Sequence, residues 1–249
     1  MIPIYSLSVL LSIGMIAHCI KTGRNRVWIW VLFFMMSMPF VGAAVYAGFE
    51  ILPELLGTRT GRRAKRGIRD TFDPVGDLRR AENAVKVSGD VASRQKYADE
   101  LVRLGRAGEA LPIYQTCLTG FFADDPKLLL GFAQAQFAAG EPSAARGTLD
   151  DLIRKNPEFK SPDGHLLYAR ALEAEGNTEK ALSEYSALSQ YYAGAEASVR
   201  YAKLLNRAGQ QPLARETLQA LLERAKYAPA HYQRAQREWL DEARKELMI

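Results

Sequence analysis

Three histidines and two cysteines are the side chains best suited to proton transfer, nucleophilic attack or soft-metal ligation in this chain of 249 residues. His18 and Cys19 are adjacent but lie inside an uncharged apolar run, where a polar residue near a membrane interface is the plainer reading. Cys117, His165 and His231 stand far apart in sequence, and none begins a metal-ligand spacing, a nucleophile elbow or a phosphate-binding loop. Catalysis needs convergent titratable groups in a pocket, and the residue types offer none. No catalytic residue, no metal and no cofactor is therefore expected, and the chain does not read as an enzyme. Two spare thiols form no disulfide framework and suit a reducing compartment.

The strongest local chemistry is cationic. Residues 59–66 read RTGRRAKR, with Arg59, Arg62, Arg63, Lys65 and Arg66 and no acid among them. The formal net charge is +5, but it is concentrated at one end. Residues 1–66 hold eight Lys/Arg against Glu50 and Glu54, while the remaining 25 Lys/Arg face 26 Asp/Glu. A nucleic-acid surface needs its positive charge on the folded domain, where it replaces the counterions of phosphates. The near-neutral body argues against nucleic acid as a partner.

The neighbours of the cationic stretch explain it. Residues 2–20 and 27–49 carry no formal charge, and their lengths of 19 and 23 residues each cover roughly the ~30 Å hydrocarbon core of a bilayer. Trp28 and Trp30 open the second run and Tyr46 lies near its end, the places that interfacial aromatics favour. A cleaved signal fits poorly, because the chain has no basic start and no small–x–small site opening into a polar end. The cysteine of Ile16-Ala17-His18-Cys19 suits a lipoprotein cleavage box, but His18 is too large and polar for the position before it. Residues 1–56 thus read as a two-helix transmembrane hairpin, and residues 57–73 as a basic juxtamembrane linker. Five cations in the flank against three in the linker between the runs (Lys21, Arg24, Arg26) favour a cytoplasmic flank held at anionic lipid headgroups. The expected location is the bacterial inner membrane, multi-pass, with the C-terminal part in the cytoplasm.

Pro39, Gly42 and Tyr46, together with the preceding basic linker and tryptophans, make the hairpin resemble that of cardiolipin synthases and related phospholipase-D-type proteins. That family's His-x-Lys-x4-Asp motif is absent, since Ile20, Leu167 and Gln233 stand two residues after the three histidines. A helix kink and close packing of the two spans account for Pro39 and Gly42 without a lipid site.

Beyond residue 74 the apolar spacing becomes helical and the sequence repeats. Gly105, Gly140, Gly176 and Gly209 follow one another at 35, 36 and 33 residues. Five residues after each stands an alanine (Ala110, Ala145, Ala181, Ala214), and seven before each another (Ala98, Ala133, Ala169, Ala202). An aromatic precedes each of the latter, and Tyr114, Leu149, Tyr185 and Leu218 lie four residues after the former. The glycine permits a sharp turn between antiparallel helices, and the alanines mark close helix crossings. This template resembles the tetratricopeptide repeat, a helix–turn–helix unit that stacks into a solenoid. Arg94, Leu129, His165 and Ser198 replace its usual tryptophan, and only Pro157 keeps the closing proline in register.

The expected fold is all-α, a transmembrane hairpin followed by a tetratricopeptide-repeat-like α-solenoid over 74–249. Repeats span about 91–125, 126–161, 162–194 and 195–227, preceded by a helix near 75–88 that Asp73-Pro74 starts. A helix over 228–248 caps the last repeat through Tyr232, Ala235, Trp239 and Ala243. The resemblance extends to bacterial membrane-anchored tetratricopeptide proteins, and implies a protein partner bound as a peptide or helix in the concave groove. On the early first helices it implies Gln95, Asp99, Arg103, Lys127 and Gln134 as groove residues, and on the later ones Arg170, Lys203, Asn206 and Arg207. The later half reads as a cationic floor suited to an acidic or C-terminal peptide. The hairpin alone suggests an alternative, an accessory factor in phospholipid or cell-envelope biogenesis. The sequence does not fix the oligomeric state. The two uncharged runs predict an integral membrane protein, which detergent releases from membranes and high salt or carbonate does not; release by salt would replace the hairpin with an electrostatic association.

Overall fold

In a computed structural model of the protein, the structure describes Asp73 and residues 75–248, along with the isolated Lys21. The chain divides into two compact units after Gly76, and the second, from Asp77, carries the repeats. The two apolar runs, the basic flank with Arg59, Arg62, Arg63, Lys65 and Arg66, and Pro74 lie outside the described residues. Among the described residues no helix is long and apolar enough to cross a membrane.

Eleven α-helices and no strand occur among the described residues. Helix α1 (Gly76–Val87) precedes four helix pairs: α2 (Val91–Arg103) with α3 (Ala107–Cys117), α4 (Pro126–Ala138) with α5 (Pro142–Lys155), α6 (Pro162–Ala174) with α7 (Thr178–Tyr191), and α8 (Glu196–Arg207) with α9 (Gln211–Lys226). Helices α10 (Ala230–Ala235) and α11 (Arg237–Leu247) close the chain.

Each pair turns at its glycine. Gly105, Gly140, Gly176 and Gly209 have φ of 75°, 85°, 78° and 78°, left-handed conformations that cost a residue with a Cβ far more. In every case the next N–H reaches back to the carbonyl five residues earlier, as in Arg106 to Leu101 at 2.8 Å and Asn177 to Leu172 at 2.9 Å. This closes the orphan carbonyls of the first helix. Most first helices start on a side-chain cap, and two add a first-turn proline: Asp125 accepts from the N–H of Lys127 and Leu128 ahead of α4, and Ser161 from Gly164 ahead of α6.

The eight template alanines are buried, and so are Tyr114, Leu149, Tyr185 and Leu218, four residues after the second alanine of each unit. All but Ala145 fall in consecutive core clusters rather than one central core, as expected where each unit packs only on its neighbours. First helices α2, α4 and α6 also pack on one another in succession, while the second helices share no comparable contact. The first helices therefore form the inner layer, and the second helices splay apart on the outside.

The C-terminal cap differs from the single helix expected over 228–248. The chain leaves helical geometry at Gln236, whose side-chain oxygen instead accepts the N–H of Ala195 at 2.9 Å. That break leaves Ala235 exposed, whereas Leu240 and Ala243 of α11 are buried against α8 and α9, with Tyr232 and Trp239 partly buried beside them. Ala169 and Ala202, both without exposed surface, set the closeness of the helix crossings. Ala169→Leu should lower unfolding free energy by roughly 1–3 kcal/mol through overpacking, read by chemical denaturation followed by helical circular dichroism.

Candidate functional site: the inner face of the repeats

Side chains of the first helices line two hollows on the inner face. The early one, about 290 Å³, brings together Gln95 and Asp99 of α2 with Lys127 and Gln134 of α4, floored by Tyr114 and Gly131. The late one, about 670 Å³, brings together Lys203, Asn206 and Arg207 of α8 with Glu173 of α6 and Trp239 of α11. Arg170 and Arg103 line neither hollow. Arg103 forms an ion pair with Glu100 on its own helix, at 2.6 Å.

The early hollow depends on a residue that sequence reasoning passed over. A Cβ on Gly131 would lie 2.6 Å from the hydroxyl oxygen of Tyr114. The glycine makes room for the tyrosine to cross from α3 to the inner face, where its hydroxyl donates to the Asp99 carboxylate. Burial, and then the hydrogen bond to Asp99, push the Tyr114 hydroxyl far above its ordinary value, so it remains a donor. Packing around this contact raises the Asp99 carboxyl, although the residue as a whole is exposed. The signal in the sequence was a glycine in mid-helix, where helix propensity disfavours it. The side chains of Gln95, Lys127 and Gln134 form no hydrogen bond or ion pair with the described residues, and remain open to solvent or a ligand.

The late hollow is not the cationic floor that the sequence suggests. Lys203 contacts Glu242 at 2.6 Å and Glu246 at 3.6 Å, both from α11. The hydrogen bond to Glu242 raises the Lys203 ammonium and lowers the Glu242 carboxyl. Arg207 pairs with Glu173, and Arg170 lies 3.6 Å from Glu196 with its guanidinium 4.9 Å over the Phe137 ring. Four glutamates (Glu173, Glu238, Glu242, Glu246) meet three cations (Arg200, Lys203, Arg207) in the lining. The hollow is thus largely a charge-paired network, in which Asn206 and Glu238 keep side chains without a hydrogen bond or ion pair among the described residues.

Glu173 is the hub of that network. It accepts the Tyr185 hydroxyl at 2.7 Å and lies 3.8 Å from Arg200, besides pairing with Arg207. Tyr185 occupies the same repeat position as Tyr114, and burial pushes its hydroxyl far up in the same way. In repeats two and four the equivalent residue is leucine, Leu149 or Leu218, so tyrosine-to-carboxylate struts alternate along the solenoid. The acidic stripe Glu238, Glu242 and Glu246 was visible as a four-residue spacing on the last helix. What the sequence did not show was that α11 folds back over α8. His165, in the position of the usual tryptophan, is a hydrogen-bonded side chain between Tyr191 and Glu184. Cys117 is buried and free, and no group of three or more metal-ligating side chains occurs among the described residues.

Comparison with known proteins accords with this geometry. Residues 101–170 match the tetratricopeptide-repeat family model. The described domain has the tetratricopeptide-repeat fold. A thermophilic repeat protein of Thermus thermophilus superposes with a TM-score of 0.54 at 19% identity, over 69% of this chain and 89% of that one. MamA superposes at 0.52 and 18% identity, over 68% and 98%. A tetratricopeptide-repeat protein from Parabacteroides merdae superposes at 0.51 and 16% identity, over 98% and 100%. At these identities the likeness shows the fold alone. No curated protein matches the sequence, and the matches indicate no catalytic family.

Reversing a charge in the late hollow acts on the cap rather than on a free surface. Lys203→Glu should lower the melting temperature and speed amide exchange in α11, and adding Glu242→Lys should restore both. A single variant as stable as the wild type would show that the Lys203 pairs contribute nothing.

Proposed function

We propose that this protein is a membrane-anchored interaction scaffold, which holds a peptide or short helix of a partner protein against the inner face of its first two repeats. One observation carries the position: Gln95, Lys127 and Gln134 share a hollow, and their side chains have no partner among the described residues. Stacked repeats of this type serve generally as protein-interaction surfaces. Two carboxamides can each both donate to and accept from an extended backbone. Lys127, a point charge at the start of α4, suits an acidic side chain or a terminal carboxylate of the bound segment. Binding at the late repeats is disfavoured, because a ligand there would first have to displace Glu242 and Glu246 from Lys203.

The anchor in this reading is the hairpin of residues 1–56. The basic linker holds the repeat domain at the cytoplasmic face of the bacterial inner membrane through anionic lipids. A role in phospholipid or envelope biogenesis is the second reading, supported by the likeness of the hairpin to that of the phospholipase-D-type proteins.

Cross-linking pull-down from native membranes tests the inner-face site. Lys127→Glu combined with Gln134→Glu should reduce recovery of the captured protein about tenfold or more, the scale of one lost charge-assisted contact, with helicity unchanged. Wild-type recovery by the folded double variant would exclude the early hollow.

A further inference from the structure

The outer layer carries a second cleft, separate from the inner face. It opens between the second helices α5 and α7, which splay apart there, and its floor is the start of α6. Its volume is about 610 Å³, the size of a site that takes one ligand group deeply. The position where the repeat family carries tryptophan is His165 here, and the smaller ring leaves space at this junction.

Two kinds of surface meet in the cleft. The apolar part includes Ile153 and Tyr191, 57% and 53% exposed, with Phe159 beside them in the lining. Large apolar side chains so exposed at one concave place favour burial by a partner. The polar part is an ordered relay. The Tyr191 hydroxyl meets His165 Nδ1, and His165 Nε2 meets Glu184 Oε2 at 2.6 Å. A neutral imidazole satisfies both contacts, accepting from the tyrosine and donating to the glutamate. The relay fixes Glu184 against the wall and leaves its other oxygen without a partner among the described residues.

The charges around this carboxylate set the sign of the ligand. Asp150 lines the cleft from α5, with Arg146 at 2.8 Å behind. Lys160, at the mouth, has its ammonium 3.2 Å from the carbonyl of Pro157 on its own loop. Arg146 offsets the charge of Asp150, so the carboxylate of Glu184, with one oxygen still open and Lys160 tethered to its own loop, is the group that favours an incoming cation over an anion.

We infer that this outer cleft binds a protein segment presenting an aliphatic or aromatic side chain next to an arginine or lysine. The apolar group lies against Ile153, Phe159 and Tyr191, and the cation reaches the free oxygen of Glu184. The chain's own exposed aromatic corner, Phe121-Phe122, does not suit the site, because Asp124 and Asp125 follow it and would face Glu184 and Asp150. This interaction is independent of the inner-face reading.

Fluorescence anisotropy with the full-length protein in detergent tests it, using labelled peptides Gly-Ser-Leu-Arg-Ser-Gly, Gly-Ser-Leu-Glu-Ser-Gly and Gly-Ser-Ser-Arg-Ser-Gly. The Leu-Arg peptide should bind about tenfold or more tightly than either control, the scale of one charge-assisted hydrogen bond or one buried aliphatic side chain. Glu184→Gln, which keeps an acceptor for His165, should erase the preference for Leu-Arg over Leu-Glu. Ile153→Asp, at an exposed position, should remove binding with unchanged circular dichroism. Lys127→Glu, on the inner face, should change neither. Equal binding of the three peptides, no saturable binding of Leu-Arg, or wild-type affinity in folded Glu184→Gln and Ile153→Asp variants would each overturn the inference.

Discussion

Close approach of helix axes at alanine is the constraint from which the rest of this domain follows. Ala98, Ala133, Ala169 and Ala202 and the alanines five residues beyond the turns are all buried, and a methyl side chain at each lets the helix axes approach closely. Antiparallel pairs so tightly joined need an abrupt reversal, and a left-handed glycine supplies it four times. Larger residues then fill the space between units, so that cohesion passes from neighbour to neighbour. The curvature that brings first helices together inside and parts second helices outside is the common origin of the inner hollows and the outer cleft.

Charge divides the inner face by purpose. At the late end, most charged groups are paired internally: Glu173 holds Tyr185, Arg200 and Arg207, while α11 brings Glu242 and Glu246 onto Lys203. Partly exposed pairs of this kind add little stability singly, yet as a network they orient the cap. Trp239 adds to this, with the Arg200 guanidinium 5.4 Å from its ring centroid. At the early end nothing comparable among the described residues occupies Gln95, Lys127 and Gln134. The late end of the face is closed by the cap, and the early hollow has no such cover among the described residues.

The repeat architecture was legible because its determinants are local and periodic. A turn glycine and two alanines per unit declare themselves at fixed spacing, and the structure places all of them as the template requires. The helix-start residues Asp125 and Ser161 are of the same local kind. The charge state of the later floor was not legible, because it depends on contacts 34 to 43 residues apart in sequence, such as Arg207 with Glu173 and Lys203 with Glu242 and Glu246. Counting cations on one helix cannot reveal carboxylates that a later helix brings over them. The break at Gln236 escaped for a similar reason, since its cause is a bond to Ala195 in another unit. His165 fits the tryptophan position by register, while its hydrogen bonds depend on Tyr191 and Glu184 across the pair.

The alternation of Tyr114, Leu149, Tyr185 and Leu218 gives the solenoid a grammar of couplets. Each tyrosine spans the two layers to meet a carboxylate on its own first helix, Asp99 or Glu173, and each leucine spans nothing. Units one and three therefore share a kind of strut that units two and four lack, with the carboxylate one residue after the template alanine in the first and four after it in the third. Removing unit two or unit three alone would place two units of the same kind side by side, whereas removing both would preserve the alternation.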